Sequence, residues 1–386
     1  MAAAAPVASV GSTRGGAAAE WPPFNPFVRH PTSTLGKIKM AFAGIVLVPV
    51  RVAGTFVTLL LLWLWVTVFS IGADSSLPYP KGRSKWLVGG CKFGARALLF
   101  FYGYWWLHED YVVADPVARA AQPLPAVVVS NHMSFIEVLY ITARYGCCFV
   151  SKAGNRKLPF VGAVADAMQC IWVDREHSRS TGDGSGSGGS TSSAIIERMN
   201  APPGDWPPLA LFPEGTTTTG HIMIHMRTGA FLAGAPVQPV AMRLPFSRVY
   251  GFDPAFSCTN IWLHALGLMS QPVNHLYATH LPVYVPSAAE KADPHLFANN
   301  VRAAIAGTLG VKTYELEWMH KLQYELSPKK QAMGARLLAD HHGGVPPPPP
   351  VFTHDAFGVP LRAAEARGRT GGGGDKGKGR ESAKGK

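Results

Sequence analysis

Between Met40 and Ile71 the chain is almost continuously apolar, and no other feature restricts its fold as strongly. Val52 to Ile71 alone supplies 20 residues, enough as a helix to cross a hydrocarbon core of about 30 Å at about 1.5 Å per residue. Arg51, two residues after Pro49, interrupts the stretch. A guanidinium at mid-bilayer costs about 2.5 to 3.5 kcal/mol on insertion scales, so Arg51 is expected near an interface. A second apolar run, Ala97 to Leu107, is short for a span and rich in Trp and Tyr, as interfacial segments are. Arg29, Lys37 and Lys39 precede the first run and Lys81, Arg83 and Lys85 follow it, so the positive-inside rule selects no single orientation. The expectation is a membrane-embedded helical hairpin or re-entrant anchor with both flanks cytosolic. The competing reading is a buried core hairpin in a soluble protein.

The rest of the chain divides by composition. Residues 1–35 carry Ala, Gly and Pro without periodicity and read as a disordered leader. An organelle transit peptide is the alternative for this acid-poor stretch. The anchor region is placed at 36–110, a catalytic α/β domain at 111–328, and a largely disordered basic Pro/Gly-rich tail at 329–386. The Ser/Gly run 178–193 is expected as a flexible insert. The net charge of +12 fits nucleic acid, an anionic bilayer or phosphorylated molecules, but basic motifs with interleaved aromatics are missing and part of the excess lies beyond Arg362, which argues against nucleic acid. Five cysteines without metal-ligand spacing indicate neither a disulfide framework nor a zinc site.

From Leu124 onward, short β-branched runs alternate with helical stretches. Ala126–Ser130, Cys148–Ser151, Cys170–Val173, Leu209–Phe212, Val237–Met242 and Leu281–Val285 are expected strands. Several are apolar at consecutive positions, as strands covered on both faces are. Phe135–Arg144 and Pro294–Leu309 are expected helices, giving an α/β class with a mixed, mostly parallel sheet flanked by helices.

The strand Val127 to Ser130 leads directly into Asn131 and His132, which places a group that titrates near neutral pH at a carboxyl strand end, the usual site location in α/β sheets. Glu137 follows five residues later. On one continuous helix that offset is about 140°, so the pair can meet only if His132 precedes the helix. Ser134-x-x-Glu137 reads as a capping box and supplies such a start. It also supplies a purely structural account, in which Glu137 caps a helix and His132 is a loop residue. In the functional account Glu137 fixes the imidazole tautomer and His132 deprotonates an alcohol. Phe212-Pro213-Glu214-Gly215-Thr216-Thr217 is a strand exit into a hydroxyl-rich loop able to bind phosphate, or an ordinary turn. Arg175, just past a strand end, is a phosphate fork or one half of a surface ion pair. Pro239 sits in a strand bracketed by prolines. His221 and His225, and the pair His341 and His342, raise a membrane di-iron enzyme as a different class, with His221 and His225 on one helix face, but further closely spaced histidine boxes are missing.

In this order the HX4E box, the strand ending Asp174-Arg175, the FPEGT box and the P-V-Q-P-V strand closely resemble the glycerolipid acyltransferase superfamily, in its lysophosphatidylcholine/lysophosphatidylethanolamine acyltransferase branch. The resemblance covers roughly Leu87 to Glu325. It implies His132 as general base, Glu137 at the position where aspartate is commoner, and Asn131, Arg175, Glu214, Gly215, Thr216, Thr217 and Pro239 at the substrate site. It further implies acyl-CoA as co-substrate, a lysophospholipid acceptor, a membrane partner in the endoplasmic reticulum with a plastid as alternative, and no metal or other cofactor. Lysophosphatidic acid or glycerol-3-phosphate acylation is the alternative activity, and an inactive lipid-binding scaffold the alternative without catalysis. A calcium-binding EF-hand loop is missing.

Overall fold

The computed structural model describes residues 21–173, 188–325, 327–342 and a few positions between 350 and 357. The apolar stretch forms α1 (Thr34–Phe69), which turns back into α2 (Lys81–Phe101). Close approach of the pair depends on glycine: a Cβ at Gly90 would collide with the Trp65 indole, and one at Gly94 with Leu62. Between the helices lies an apolar groove of about 750 Å³ lined by Leu61, Leu62, Trp65, Trp86 and Phe93. Among the described residues α1 is the one helix long and apolar enough to cross a membrane. Along its N-terminal half Phe42, Ile45, Val46 and Val50 are more than half exposed. The aromatic run from Ala97 is not one interfacial segment: α2 ends at Phe101 and the chain re-emerges as β1 (Leu107–Tyr111). Arg51 is buried against the domain, its guanidinium donating to the carbonyls of Met269 (2.8 Å), Gln271 and Pro272 (2.8 Å). Carbonyls of the neighbouring chain replace water around the charge.

After β1 come α3 (Pro116–Ala120), β2 (Val127–Ser130), α4 (Ile136–Tyr145), β3 (Cys148–Lys152), α5 (Val161–Ala167), β4 (Ile171–Val173), α6 (Gly188–Asn200) and β5 (Leu209–Leu211). The chain continues through β6 (Ile222–Met223), β7 (Val237–Arg243), α7 (Ile261–Met269), β8 (Leu276–His280), α8 (Ala288–Ala292), α9 (Pro294–Leu309), β9 (Lys312–Thr313), α10 (Trp318–Leu322) and α11 (Pro328–His342). Seven strands form one sheet in the order β1-β8-β7-β2-β5-β3-β4. Only β7 and β8 pair antiparallel. The expected mixed, mostly parallel α/β architecture is therefore present. The central strand β2 is buried at every position: Val127 and Val129 pack with Phe297, Val301 and Ile305 of α9, while Val128 packs with Ile136 and Tyr140 of α4. Alternation across a sheet covered on both faces accounts for its unbroken apolar run.

Several expectations need correction. Leu281–Val285 is not a strand; it makes a single bridge, Val237 to Tyr284, because Pro282 and Pro286 carry no N–H for a ladder. The strand lies just before it, at β8, with β1 beside it. The leader is not disordered up to residue 35: from Trp21 it packs on the domain, with Phe27 fully buried. The tail begins later than residue 329, since α11 runs to His342 and Phe352 is buried in the same cluster as Phe27. Helix formers such as Ala332, Met333, Leu337 and Leu338 outweigh the high charge there. Helix α6 opens at Gly188, inside the stretch expected as a flexible insert.

Candidate active site

Strands β2 and β5 are parallel neighbours, so the loops leaving their carboxyl ends meet, and they carry His132 and Glu214 respectively. The backbone N–H of His132 donates to Glu214 Oε1 (2.9 Å), and its carbonyl accepts from Thr218 N (2.9 Å). Both loops thus clamp one residue. The imidazole stacks on Phe212, with centroids 4.1 Å apart and planes 18° from parallel.

His132 precedes α4, as the spacing requires, and Nδ1 lies 3.4 Å from Glu137 Oε2, with the carboxylate fully buried and the histidine side chain 19% exposed. The distance is at ion-pair reach and longer than a formed hydrogen bond, a separation that commonly tightens when substrate binds. Glu137 also accepts from the backbone of Met133 (3.2 Å) and Ser134 (2.7 Å). Only half of the expected capping box therefore forms. The helix is capped at Phe135 without a side-chain bond, and Ser134 Oγ turns instead to His264 Nε2, 3.3 Å away. The Glu137 oxygens pin the turn and face the imidazole at once, so the geometry admits the structural and the chemical account together.

The remaining expected site residues separate by burial. Asn131 is buried, and its side-chain amide exchanges two hydrogen bonds with the backbone of Met242 (2.9 and 2.8 Å), locking β2 to β7 rather than facing a ligand. Glu214 is buried too, with one oxygen on His132 N and the other on Ile224 N (3.4 Å). Desolvation, opposed by those two N–H donors, pushes its carboxyl up to about 8. Thr217 is a brace: its hydroxyl donates to the Phe256 carbonyl, and Lys321 Nζ reaches both its Oγ1 (2.5 Å) and its carbonyl (3.0 Å). Pro239 is buried in β7, opposite Val129. Gly215 and Thr216 are half-buried and border the open side of the loop. Gly215 turns with φ 67°, against the Arg227 side chain. Arg175 lies outside the described residues.

Sequence reasoning missed Phe212 as the ring beneath His132, Lys321 as the buried cation anchoring the threonine loop, and the exposed Arg227 beside Gly215. Nothing local marks Lys321: it lies 104 residues from Thr217 and meets it only through the fold. His221 and His225 do not share a helix face, since they flank β6, and His225 Nδ1 sits 3.5 Å from Glu315. Among the described residues no group of three or more His, Cys, Asp or Glu side chains could hold a metal.

Residues 117–243 match the Acyltransferase family. The interval contains His132, Glu137 and the whole loop from Glu214. Lysophospholipid acyltransferase LPEAT1 of Arabidopsis thaliana is 33% identical over 308 residues, covering 70% of this chain and 75% of that protein. The chain belongs to the lysophospholipid acyltransferase family. It is an acyltransferase enzyme of phospholipid metabolism. Lysophosphatidylcholine acyltransferase 1 of Danio rerio is 31% identical over 74% of this chain, and this family member spans only 53% of that relative's length. Lysophospholipid acyltransferase LPCAT4 of Mus musculus is 30% identical, with 77% of this chain and 55% of that protein aligned. Among solved structures, the 1-acyl-sn-glycerophosphate acyltransferase PlsC of Thermotoga maritima aligns with a TM-score of 0.41 at 13% identity, over 66% of this chain and 96% of that one.

Proposed function

We propose that this family member transfers an acyl group from acyl-CoA to the free hydroxyl of a lysophospholipid, with lysophosphatidylethanolamine and lysophosphatidylcholine as acceptors. The observation that carries the reading is the buried Glu137 carboxylate on Nδ1 of a partly exposed His132. Glu137 holds the proton on Nδ1, leaving Nε2 to accept the proton of the acceptor hydroxyl. The alkoxide-like oxygen attacks the thioester carbonyl, a tetrahedral oxyanion forms, and the C–S bond breaks to release CoA thiolate, which takes up the proton held by His132. No acyl-enzyme is required. The Ser134 hydroxyl, next but one to His132, is directed at His264. Gly215, Thr216 and the exposed Arg227 border the side of the loop where an acceptor phosphate fits.

The anchor reading that fits is in-plane. Domain segments meet α1 along most of its length: Lys39 donates to Gln271 (3.1 Å), Arg51 to the carbonyls after α7, and Phe56 and Trp63 pack edge-on against Phe160 (5.9 and 6.2 Å). A bilayer-crossing α1 would drag those segments into hydrocarbon. These contacts support a hairpin lying in one leaflet; the membrane proposed is the endoplasmic reticulum, with both flanks cytosolic, and protease protection of only one flank in sealed vesicles would exclude this. The activity is tested with the membrane-bound full chain against a panel of lysophospholipids and acyl-CoAs. Turnover confined to lysophosphatidic acid or glycerol 3-phosphate would move the protein to the alternative acceptor class.

A further inference from the structure

Helix α7 is nine residues long, and its sequence, Ile-Trp-Leu-His-Ala-Leu-Gly-Leu-Met, contains one ionisable side chain. That side chain, His264, points inward and is fully buried. On the outward side Ile261 is 42% exposed, Trp262 75%, Leu263 66% and Leu266 43%. Soluble surfaces scatter such residues singly; four on one short helix mark a contact face.

What covers that face follows from its neighbour. Ser270 lies against Gly44 of α1, and Arg51 of α1 closes over the carbonyls of Met269, Gln271 and Pro272. The C-terminal end of α7 is thereby fastened beside the stretch of α1 where Phe42 and Ile45 are each 73% exposed. On the in-plane reading of α1, a protein partner on α7 would have to sit beside the exposed apolar side chains Phe42 and Ile45 of α1. An exposed tryptophan among aliphatic side chains is what a helix at the headgroup boundary carries. The inward face leads to the chemistry: the His264 ring packs on Phe135 (5.7 Å) and Phe256 (5.3 Å), and Nε2 meets Ser134 Oγ, whose backbone N–H binds Glu137.

We propose that α7 is a second bilayer-inserting element, separate from the helical hairpin, and that it holds the His132 segment at the lipid surface through His264 and Ser134. The occupant of its outer face is the lipid bilayer. The proposal rests on the in-plane reading of α1. A glycerol hydroxyl at the interface then reaches His132 without the lysolipid leaving the membrane.

The test uses the full chain in phosphatidylcholine vesicles with brominated or plain acyl chains. An environment-sensitive label is placed through Trp262→Cys, Val57→Cys or Lys312→Cys, with the unsubstituted chain as background for the native cysteines. Quenching by bromine at positions 57 and 262 but not at 312 is expected. Quenching at 57 without 262 overturns the role of α7 and leaves the anchor standing; loss of quenching at 57 sinks the anchor reading as well. A doubled particle mass with position 262 shielded yet unquenched identifies a second copy of the chain as the occupant and also overturns the proposal. In parallel, Trp262→Ser with Leu263→Ser lowers turnover on vesicle-held lysolipid by about tenfold and leaves a short-chain lysolipid, dispersed as monomers, turned over as before. An equal loss on both substrates would assign α7 a merely structural role.

Discussion

Two histidines of this protein stand at carboxyl strand ends with a carboxylate nearby, and they differ in how fully their rings are bonded. His280 ends β8. Both its ring nitrogens are taken, Nε2 by the Tyr140 hydroxyl (2.9 Å) and Nδ1 by the Tyr145 hydroxyl (2.6 Å), while its ring stacks on Tyr111 at 4.5 Å. Glu109 completes the network through Tyr140 (2.8 Å) and Tyr111 (2.9 Å), and burial drives the imidazole down to about 4. His132 follows β2, stacks on one ring, faces one carboxylate from Nδ1 and leaves its side chain 19% exposed. A histidine satisfied on both edges is structural mortar. His132, with one ring edge 3.4 Å from a buried carboxylate and its side chain partly exposed, is the one that fits the proposed base.

The comparison breaks at once if the two exchange phenotypes. His132→Ala should lower acyl transfer by at least about 10²-fold to 10⁴-fold, with the thermal unfolding temperature and membrane recovery unchanged. His280→Phe should do the reverse. It strands the Tyr145 hydroxyl and part of the Tyr140 network, costing about 1–3 kcal/mol of stability, which calorimetry reads, with turnover per folded molecule nearly preserved. Asn131→Ala falls between them, since it unties β2 from β7 directly behind His132. A loss of about 2 kcal/mol from two stranded backbone groups is expected, together with a fall in kcat that rises in proportion to neither KM nor the unfolded fraction.

The smallest expected effects are in pH dependence, and the two regions should differ in sign. His280 has a folded value below the imidazole norm, so the unfolded chain binds more protons between about pH 6.5 and 4; its stabilisation is present above that window and is lost as pH falls through it. Glu214 has a folded value raised to about 8, so its contribution is full below about pH 4.5 and is lost as pH rises through 8. Denaturant titrations from pH 4 to 9 should show His280→Phe flattening the acid limb and Glu214→Gln flattening the alkaline one. Crossed effects would mean that the buried carboxyl and the buried imidazole have been assigned the wrong charge states.

Much of the site was legible because it is local. His132, Glu137 and the turn between them span six residues, and helix geometry alone required the histidine to precede the helix. The α9 boundaries were legible for the same reason, since Asp293 caps its first turn and Gly310 ends it in the left-handed region. The strands β1 and β8 were not. Leu107 to Tyr111 carries His, Glu and Asp in an edge strand, and Leu276 to His280 buries Leu276, Ala278 and His280 but exposes Tyr277. Neither signal is distinctly apolar, and a strand of that kind is recognised by its partner. The folded leader escaped notice likewise, because Trp21, Phe24 and Phe27 have no periodicity of their own and find burial only against distant residues such as Ile222, Ile224, Leu316, Tyr324 and Phe352.

The sequence by itself determined the long apolar helix, the sheet-and-helix alternation, and a histidine and a glutamate at a spacing that permits one to orient the other. These depend on periodicity, caps and strand ends, which act over a few residues. Only the tertiary structure decided what each polar side chain does. Asn131, Glu214 and Thr217 share one composition-level description with Gly215 and Thr216, yet the first three are consumed by backbone partners 111, 82 and 39 residues away. Arg51 finds its carbonyls 218 residues along the chain. Buried polar groups must be satisfied wherever the fold brings a partner, so whether such a residue braces the scaffold or faces a substrate is settled by long-range packing, which no local pattern records.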